Sequence, residues 1–146
     1  MEVELRPVRE SDLKNIYGWR NDPSVRKNSF STGKISMEAH LRYWSSRMED
    51  AAKHSFVVVS DGLDAGLLRL DQYEGENGAY EVHILIAPEA QGKGIGLAAI
   101  AAAKEEAKKI GIKKLVARVK EGNAASQAVF SKNGFSGGPA LFECKI

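Results

Sequence analysis

Six consecutive residues, Gln91-Gly92-Lys93-Gly94-Ile95-Gly96, place three glycines at alternate positions just before an alanine-rich segment. Without a Cβ, such a backbone turns tightly and brings its N–H groups against a ligand. If a helix begins here, the positive end of its dipole faces the same point, so the natural occupant is a phosphate or pyrophosphate, with Lys93 as an additional charge. Immediately upstream, Tyr80 to Ile86 alternates as a strand, with Val82, Ile84 and Ile86 on one face and Glu81, His83 and Leu85 on the other. Glu81 and His83 thus share one face of this strand, and both are residue types that serve as general acids or bases.

Three anion-binding motifs compete for the glycine turn. The P-loop requires Gly, four residues, Gly-Lys and then Ser or Thr, a pattern absent from this chain. The dinucleotide fingerprint G-x-G-x-x-A fits Gly94 to Ala99. That fold, however, places the turn after its first strand with several parallel units downstream, and too little chain follows to build them.

The remaining sequence supplies the elements that must position these residues. Val3 to Leu5 reads as a strand closed by Pro7, and Ser11 is placed to cap a helix bearing Leu13, Ile16 and Tyr17. Ser36 is placed to cap a second helix whose Met37, His40, Leu41, Trp44 and Met48 form one stripe. Phe56 to Val59 and Gly66 to Leu70 read as a hairpin about Asp61-Gly62, and Pro88 ends the strand that follows. A long helix is predicted from about Gly94 to Ile110, stopped by Gly111. Leu115 to Val119 is a strand, Asn123 caps a helix reaching Lys132, and a last strand spans about Leu141 to Lys145. The order β-α-α-β-β-β-α-β-α-β predicts a mixed α/β sheet rather than a doubly wound one.

Gross composition is consistent with one domain over residues 1–146, with 43% hydrophobic and 27% charged residues. The formal charge of +2 gives no uniform field for nucleic acid or an anionic membrane, so anion binding must be local. Cys144 is the only cysteine, which excludes an intramolecular disulfide or a cysteine-based zinc site. With no signal-like N-terminal segment and no apolar run of about 20 residues, the expected setting is cytoplasmic.

Gln91-x-x-Gly94-x-Gly96, preceded by Ile84-Leu85-Ile86-Ala87-Pro88-Glu89, resembles the acetyl-CoA motif of the GNAT N-acetyltransferase superfamily. Asn123-Ala124-Ala125-Ser126, leading to Phe130-Ser131-Lys132-Asn133-Gly134-Phe135, resembles its second signature. The resemblance implies the GNAT acyl-CoA N-acyltransferase fold, a mixed, predominantly antiparallel sheet with helices on both faces. It also implies acetyl-CoA as co-substrate, no metal, and a monomer or homodimer. By the same resemblance, Gly92 to Leu97 (Gly92, Lys93, Gly94, Ile95, Gly96, Leu97) and Gln91 would wrap the pyrophosphate. Ile84, Leu85 and Ile86 would pair with the pantetheine arm, Asn123 and Phe130 would border it, and an N–H near Ile84 or Leu85 would polarise the thioester carbonyl. Glu81 and His83 are the candidates for deprotonating the acceptor amine. Many relatives carry a tyrosine where this chain has Phe130, so the thiolate's proton is expected from water or Ser131.

Trp19-Arg20-Asn21 with Arg26 is similar to a segment on the acceptor side of acetyltransferases of nucleotide-linked amino sugars, and more loosely of ribosomal-protein N-terminal acetyltransferases. A ring beside guanidinium groups suits a nucleotide diphosphate. The acceptor expected is a small-molecule amine such as a nucleotide-linked amino sugar. A peptide N-terminus and a catalytically silent CoA-binding module are the alternatives.

Overall fold

The computed structural model describes residues 1–138 and 141–146. β1 (Val3–Pro7) is followed by a 3-10 turn at Glu10–Asp12, α1 (Leu13–Asn21), the short α2 (Pro23–Arg26) and α3 (Met37–Met48). Three strands come next, β2 (His54–Ser60), β3 (Leu63–Gln72) and β4 (Ala79–Ile86), and then α4 (Ile95–Ile110). The chain ends with β5 (Lys114–Arg118), α5 (Ala124–Lys132), β6 (Ser136–Gly137) and β7 (Leu141–Lys145). These strands form one seven-stranded sheet in the order β1-β2-β3-β4-β5-β7-β6. Only β4 and β5 run parallel; the other neighbours are antiparallel. This is the mixed, mainly antiparallel sheet that was expected.

The local signals explain most of these elements. Asp61 and Gly62, at φ 49° and 81°, make the tight turn that suits the twist of a two-residue hairpin between β2 and β3. Ser36 Oγ accepts from the Ala39 N–H at 3.1 Å and starts α3. Asn123 Oδ1 accepts from the Ser126 N–H at 3.2 Å and starts α5. Gly111, at φ 92°, ends α4.

Two expectations need correction. Ser11 lies inside the 3-10 turn, and Asp12 holds the N-cap position of α1 without a side-chain bond into the helix; its Oδ2 instead accepts the Arg9 N–H at 2.7 Å and closes the 3-10 turn. Arg6 donates two further bonds to the same carboxylate, at 2.7 and 2.9 Å, so a charge-assisted pair with β1 fixes the turn ahead of the helix. On α3, the buried stripe is His40, Trp44 and Arg47, whereas Met37, Leu41 and Met48 are each at least 40% exposed. The stripe is rotated because Arg47 is buried by polar partners, donating to Ser55 Oγ at 2.6 Å and to the His54 carbonyl at 2.9 Å.

The two faces of the sheet have separate covers. A Cβ on Gly96 of α4 would lie 3.9 Å from Ile86 Cγ1, so α4 packs on the face bearing Val82, Ile84 and Ile86. Arg69 and Asp71 stand opposite His83 and Glu81 in the β3–β4 register, and they meet Tyr43 and Arg47 of α3 on the other face. The core between and around these layers contains Ile16, Leu68, Leu70, Ile100 and Leu115, all nearly inaccessible. Among the described residues no helix is long and apolar enough to cross a membrane.

Candidate active site

β4 and β5 pair only through Ala79↔Lys114, Tyr80↔Leu115 and Glu81↔Val116. Beyond Glu81 the two strands diverge, and residues 82 to 86 keep β3 as their only strand partner. The divergence leaves one edge of β4 open. Which polar groups face it follows from the strand period: Ala87 donates its N–H to Ala65 of β3 at 2.8 Å, whereas the Ile86 carbonyl, on the opposite side, accepts from Gln91 Nε2 at 3.2 Å. Alternation then turns the N–H and C=O of Ile84 to the open edge and those of Leu85 toward β3.

At the far end of this edge stands the glycine turn. Gly92 and Gly94 have φ of 76° and 80°, a region costly for residues with a Cβ, and Gly94 is the N-cap of α4. The first backbone bond along the helix is Ala98 N–H to the Gly94 carbonyl at 3.4 Å, so the amides before it have no acceptor within the helix. They form a cradle of donors at the positive end of a 16-residue helix. Gln91 fixes the turn, donating to Ser24 Oγ at 3.3 Å as well as to Ile86. Lys93 is exposed beside it.

At the fork itself lies a cavity of about 490 Å³ lined by β4 residues 82 to 85, the start of α5, and Arg20, Phe30, His40, Tyr43, Arg69, Arg118 and Lys120. Loop residues 28–31 and Ile35 roof it. The roof is pinned by Arg20 Nη2 to the Ser31 carbonyl at 2.9 Å, and by Asn21, which exchanges two bonds with the Ile35 backbone at 2.8 and 2.9 Å. Lys120 Nζ donates to the Lys27 carbonyl at 3.1 Å, and Arg26 to the Thr32 carbonyl at 3.4 Å. None of residues 91–97 lines this cavity, so the anion cradle and the cavity are separate ends of one path along β4.

Charge in the fork is organised across three strands. Arg118 of β5 grips buried Glu81 through two bonds, at 2.8 and 3.1 Å. His83 Nε2 lies 3.7 Å from Glu81 and 3.9 Å from Asp71. Asp71 is shared, its Oδ1 2.6 Å from Arg47 in an ion pair lacking hydrogen-bond alignment, and its Oδ2 3.4 Å from Arg69. Burial and then Arg69 hold the His83 pKa down to about 4, against the opposing pull of Glu81 and Asp71. His83 is therefore neutral at physiological pH, with a lone pair on its imidazole.

The structure brings together Glu81, His83, Ile84, Leu85, Asn123, Phe130 and Arg20 around the fork. Trp19 is placed differently: it is 9% exposed within the core and absent from the cavity wall. Helical geometry turns it away, because Ile16 and Arg20, four residues apart on α1, take the cavity side. Ser131 is exposed on the far side of α5 and borders a separate shallow depression with Gly137 and Phe142. Phe130 is buried against Phe135 and Phe142, with ring centroids 5.1 and 6.2 Å away. The sequence reading missed Arg69, Asp71 and Arg118. A signal for the first two was present in Leu68-Arg69-Leu70-Asp71, where charge interrupts a leucine strand on the face later shared with Glu81 and His83; Arg118 had none.

A forked mixed sheet, an amide cradle at one end of the fork and a cavity at the other define an enzyme that draws an acyl group from a CoA thioester. The chain belongs to the GNAT acetyltransferase family: the family model described as Acetyltransferase (GNAT) domain matches residues 2–136. It is an acetyl-CoA-dependent N-acetyltransferase. Among curated proteins it is similar to the spermidine N(1)-acetyltransferase of Escherichia coli (strain K12), 29% identical over 135 residues, 92% of this chain and 73% of that protein. Its fold is also that of the spermidine N-acetyltransferase of Vibrio cholerae solved with CoA and spermine, at TM-score 0.89 and 21% identity over 98% of this chain and 95% of that one. An aminoglycoside acetyltransferase solved with coenzyme A matches at TM-score 0.86 and 17% identity, over 99% and 95% of the two chains.

Proposed function

We propose that residues 1–146 act as one acetyltransferase domain that moves an acetyl group to the primary amine of a small molecule held in the 490 Å³ cavity. The observation that carries this reading is the open edge of β4, which runs from the Gly92–Leu97 amides into a cavity containing an unprotonated His83. The cradle fits a pyrophosphate and the edge fits an extended amide arm. Acetyl-CoA supplies an acetyl group activated as a thioester. The Ile84 N–H bonds the acyl oxygen, where negative charge develops as the amine attacks. His83, neutral but weakened as a base by burial and Arg69, accepts the proton released by the amine only transiently and passes it to water. Glu81 has both oxygens occupied by Arg118, so it acts as an anchor for the fork rather than as the base. Asn123 caps α5 and borders the cavity, and Phe130 closes its floor. With Ser131 outside, the thiolate takes its proton from water; its parent pKa of about 8.5 makes it a tolerable leaving group.

The roof pinned by Arg20, Asn21, Arg26 and Lys120 supports a small acceptor over a peptide N-terminus. The spermidine relatives are named for a polyamine, whereas Arg20 on the cavity wall of this chain favours a nucleotide-linked amino sugar. A cytoplasmic setting suits the acetyl-CoA requirement. The test is release of CoA thiol from acetyl-CoA on adding primary amines of each class. Cofactor binding with no amine-dependent release from any class would overturn transfer and leave a CoA-binding module.

A further inference from the structure

The cavity wall has one sign of charge. Arg20 from α1, Arg69 from β3, Arg118 at the end of β5 and Lys120 beyond it all line the cavity, and no aspartate or glutamate does among the described residues. The two carboxylates behind the wall are already engaged, Glu81 by Arg118 and Asp71 by Arg47 and Arg69 together. The bonds that Arg20 and Lys120 make to the Ser31 and Lys27 carbonyls leave their charges uncompensated, because a carbonyl is neutral. Arg20 is short of a partner as well: its Nη1 is buried without an acceptor, a costly state for a guanidinium N–H.

The donor does not account for this excess. Its phosphates belong at the Gly92–Leu97 cradle, outside the cavity, and the part that reaches the fork is an uncharged thioester. The positive wall is therefore left for the other substrate. Resting on the acetyl-transfer reading above, we infer that the acceptor is an amine that also carries an anionic group, a phosphate or carboxylate, bound by Arg20 and Arg69 while its amine faces His83 and Ile84. The planar guanidinium fork matches both oxyanions in two-point geometry. The same wall disfavours an ammonium near it, so it selects the unprotonated amine that attack requires and rejects a polycation. A nucleotide-linked amino sugar belongs to this class, and spermidine lies outside it.

The test uses matched amines with the full chain and acetyl-CoA: ethanolamine, O-phosphoethanolamine and β-alanine, then glucosamine, glucosamine 6-phosphate and UDP-glucosamine, with spermidine as the polycation. Thiol release gives kcat/KM, and calorimetry on the CoA-loaded protein gives binding without turnover. At least one anionic member of each set should exceed its neutral parent by about tenfold or more, with spermidine the poorest. Whether phosphate or carboxylate wins names the anion. Arg20→Met and Arg69→Met should each raise KM for the anionic amine about tenfold while acetyl-CoA KM stays within about twofold, and Arg20→Lys should recover part of the loss. Added salt should raise KM for the anionic amine. If spermidine or the neutral parents react as well as the anionic amines, the inference falls and acetyl transfer stands. If anionic amines bind the CoA-loaded protein and Arg20→Met abolishes that binding, yet no amine is acetylated, transfer falls and the anion site stands. If no anionic amine either binds or reacts, the inference is overturned.

Discussion

Arg118 and Glu81 form a two-point ion pair, at 2.8 and 3.1 Å, at the last residue of β4 that still pairs with β5. The pair spans the root of the fork, and its position links the opening of the sheet to His83 beside it. Phe30 of the cavity roof lies over the same guanidinium, 5.8 Å from ring centroid to Cζ, so the roof and the root of the fork share one anchor. Arg118→Met would free Glu81 and shift the fork. The expected result is a fall in kcat of about 10- to 100-fold with a much smaller change in acetyl-CoA affinity, measured by steady-state kinetics and calorimetry. Loss of both in equal measure would show that the pair holds the fold rather than the site.

His83 titrates far from its usual value of 6.5 because it is half-buried beside Arg69. Arg69→Met removes one of the three causes that lower it, the others being burial and Arg118, so the His83 pKa should move up from about 4, read by NMR titration of the imidazole. Linkage fixes the sign for stability. The unfolded chain binds the proton first, so His83 costs nothing above about pH 6.5 and its folded state loses stability as pH falls from there toward 4. The variant should be less sensitive across that window in urea unfolding, though it also loses the Asp71 contact.

Asp12 behaves in the acid range. Hydrogen bonds from Arg6, then from the Arg9 backbone, hold its pKa below the usual 3.8 against the opposing effect of burial. A depressed carboxylate contributes stability that is fully present above its unfolded pKa and is lost as pH falls through the folded value. Asp12→Ala should cost about 2 kcal/mol at pH 7 and progressively less as pH falls below the usual carboxylate range, measured by denaturant unfolding at each pH. A constant deficit across that range would assign the effect to packing.

Gly94 caps α4 at φ 80°, where a Cβ meets nothing closer than 3.8 Å, so Gly94→Ala suffers from backbone strain and not from collision. The cost should be about 1 kcal/mol in stability, with acetyl-CoA KM raised roughly tenfold as the amides reorient and acceptor KM little changed. Thermal unfolding and two-substrate kinetics separate the two effects.

Ser131→Ala should leave kcat and its pH profile within about twofold, because the hydroxyl is exposed beyond the cavity. A drop beyond tenfold would require Ser131 to reach the thiolate by a path along α5.

The chain by itself determined whatever depends on residues close in sequence. Alternation along Tyr80 to Ile86 assigned the faces of β4, Gly94 and Gly111 marked both ends of α4, Asn123 announced α5, and the glycine turn announced a helix start with free amides. Each is a local choice of backbone conformation or capping group, so it is written into a few adjacent residues. The cap before α1 and the stripe of α3 were misread because polar partners outside each helix reset them, Arg6 and the Arg9 backbone for Asp12 and the His54–Ser55 segment for Arg47. Tertiary structure alone decided that β4 and β5 separate after Glu81, that Arg118 occupies that carboxylate, and that Trp19 turns inward while Arg20 faces the cavity. Glu81 and Arg118 are 37 residues apart, and no short-range pattern encodes their meeting. Charge pairing acts through space, so which carboxylates are engaged and the sign of the cavity wall emerged only when three strands and three helices were brought together.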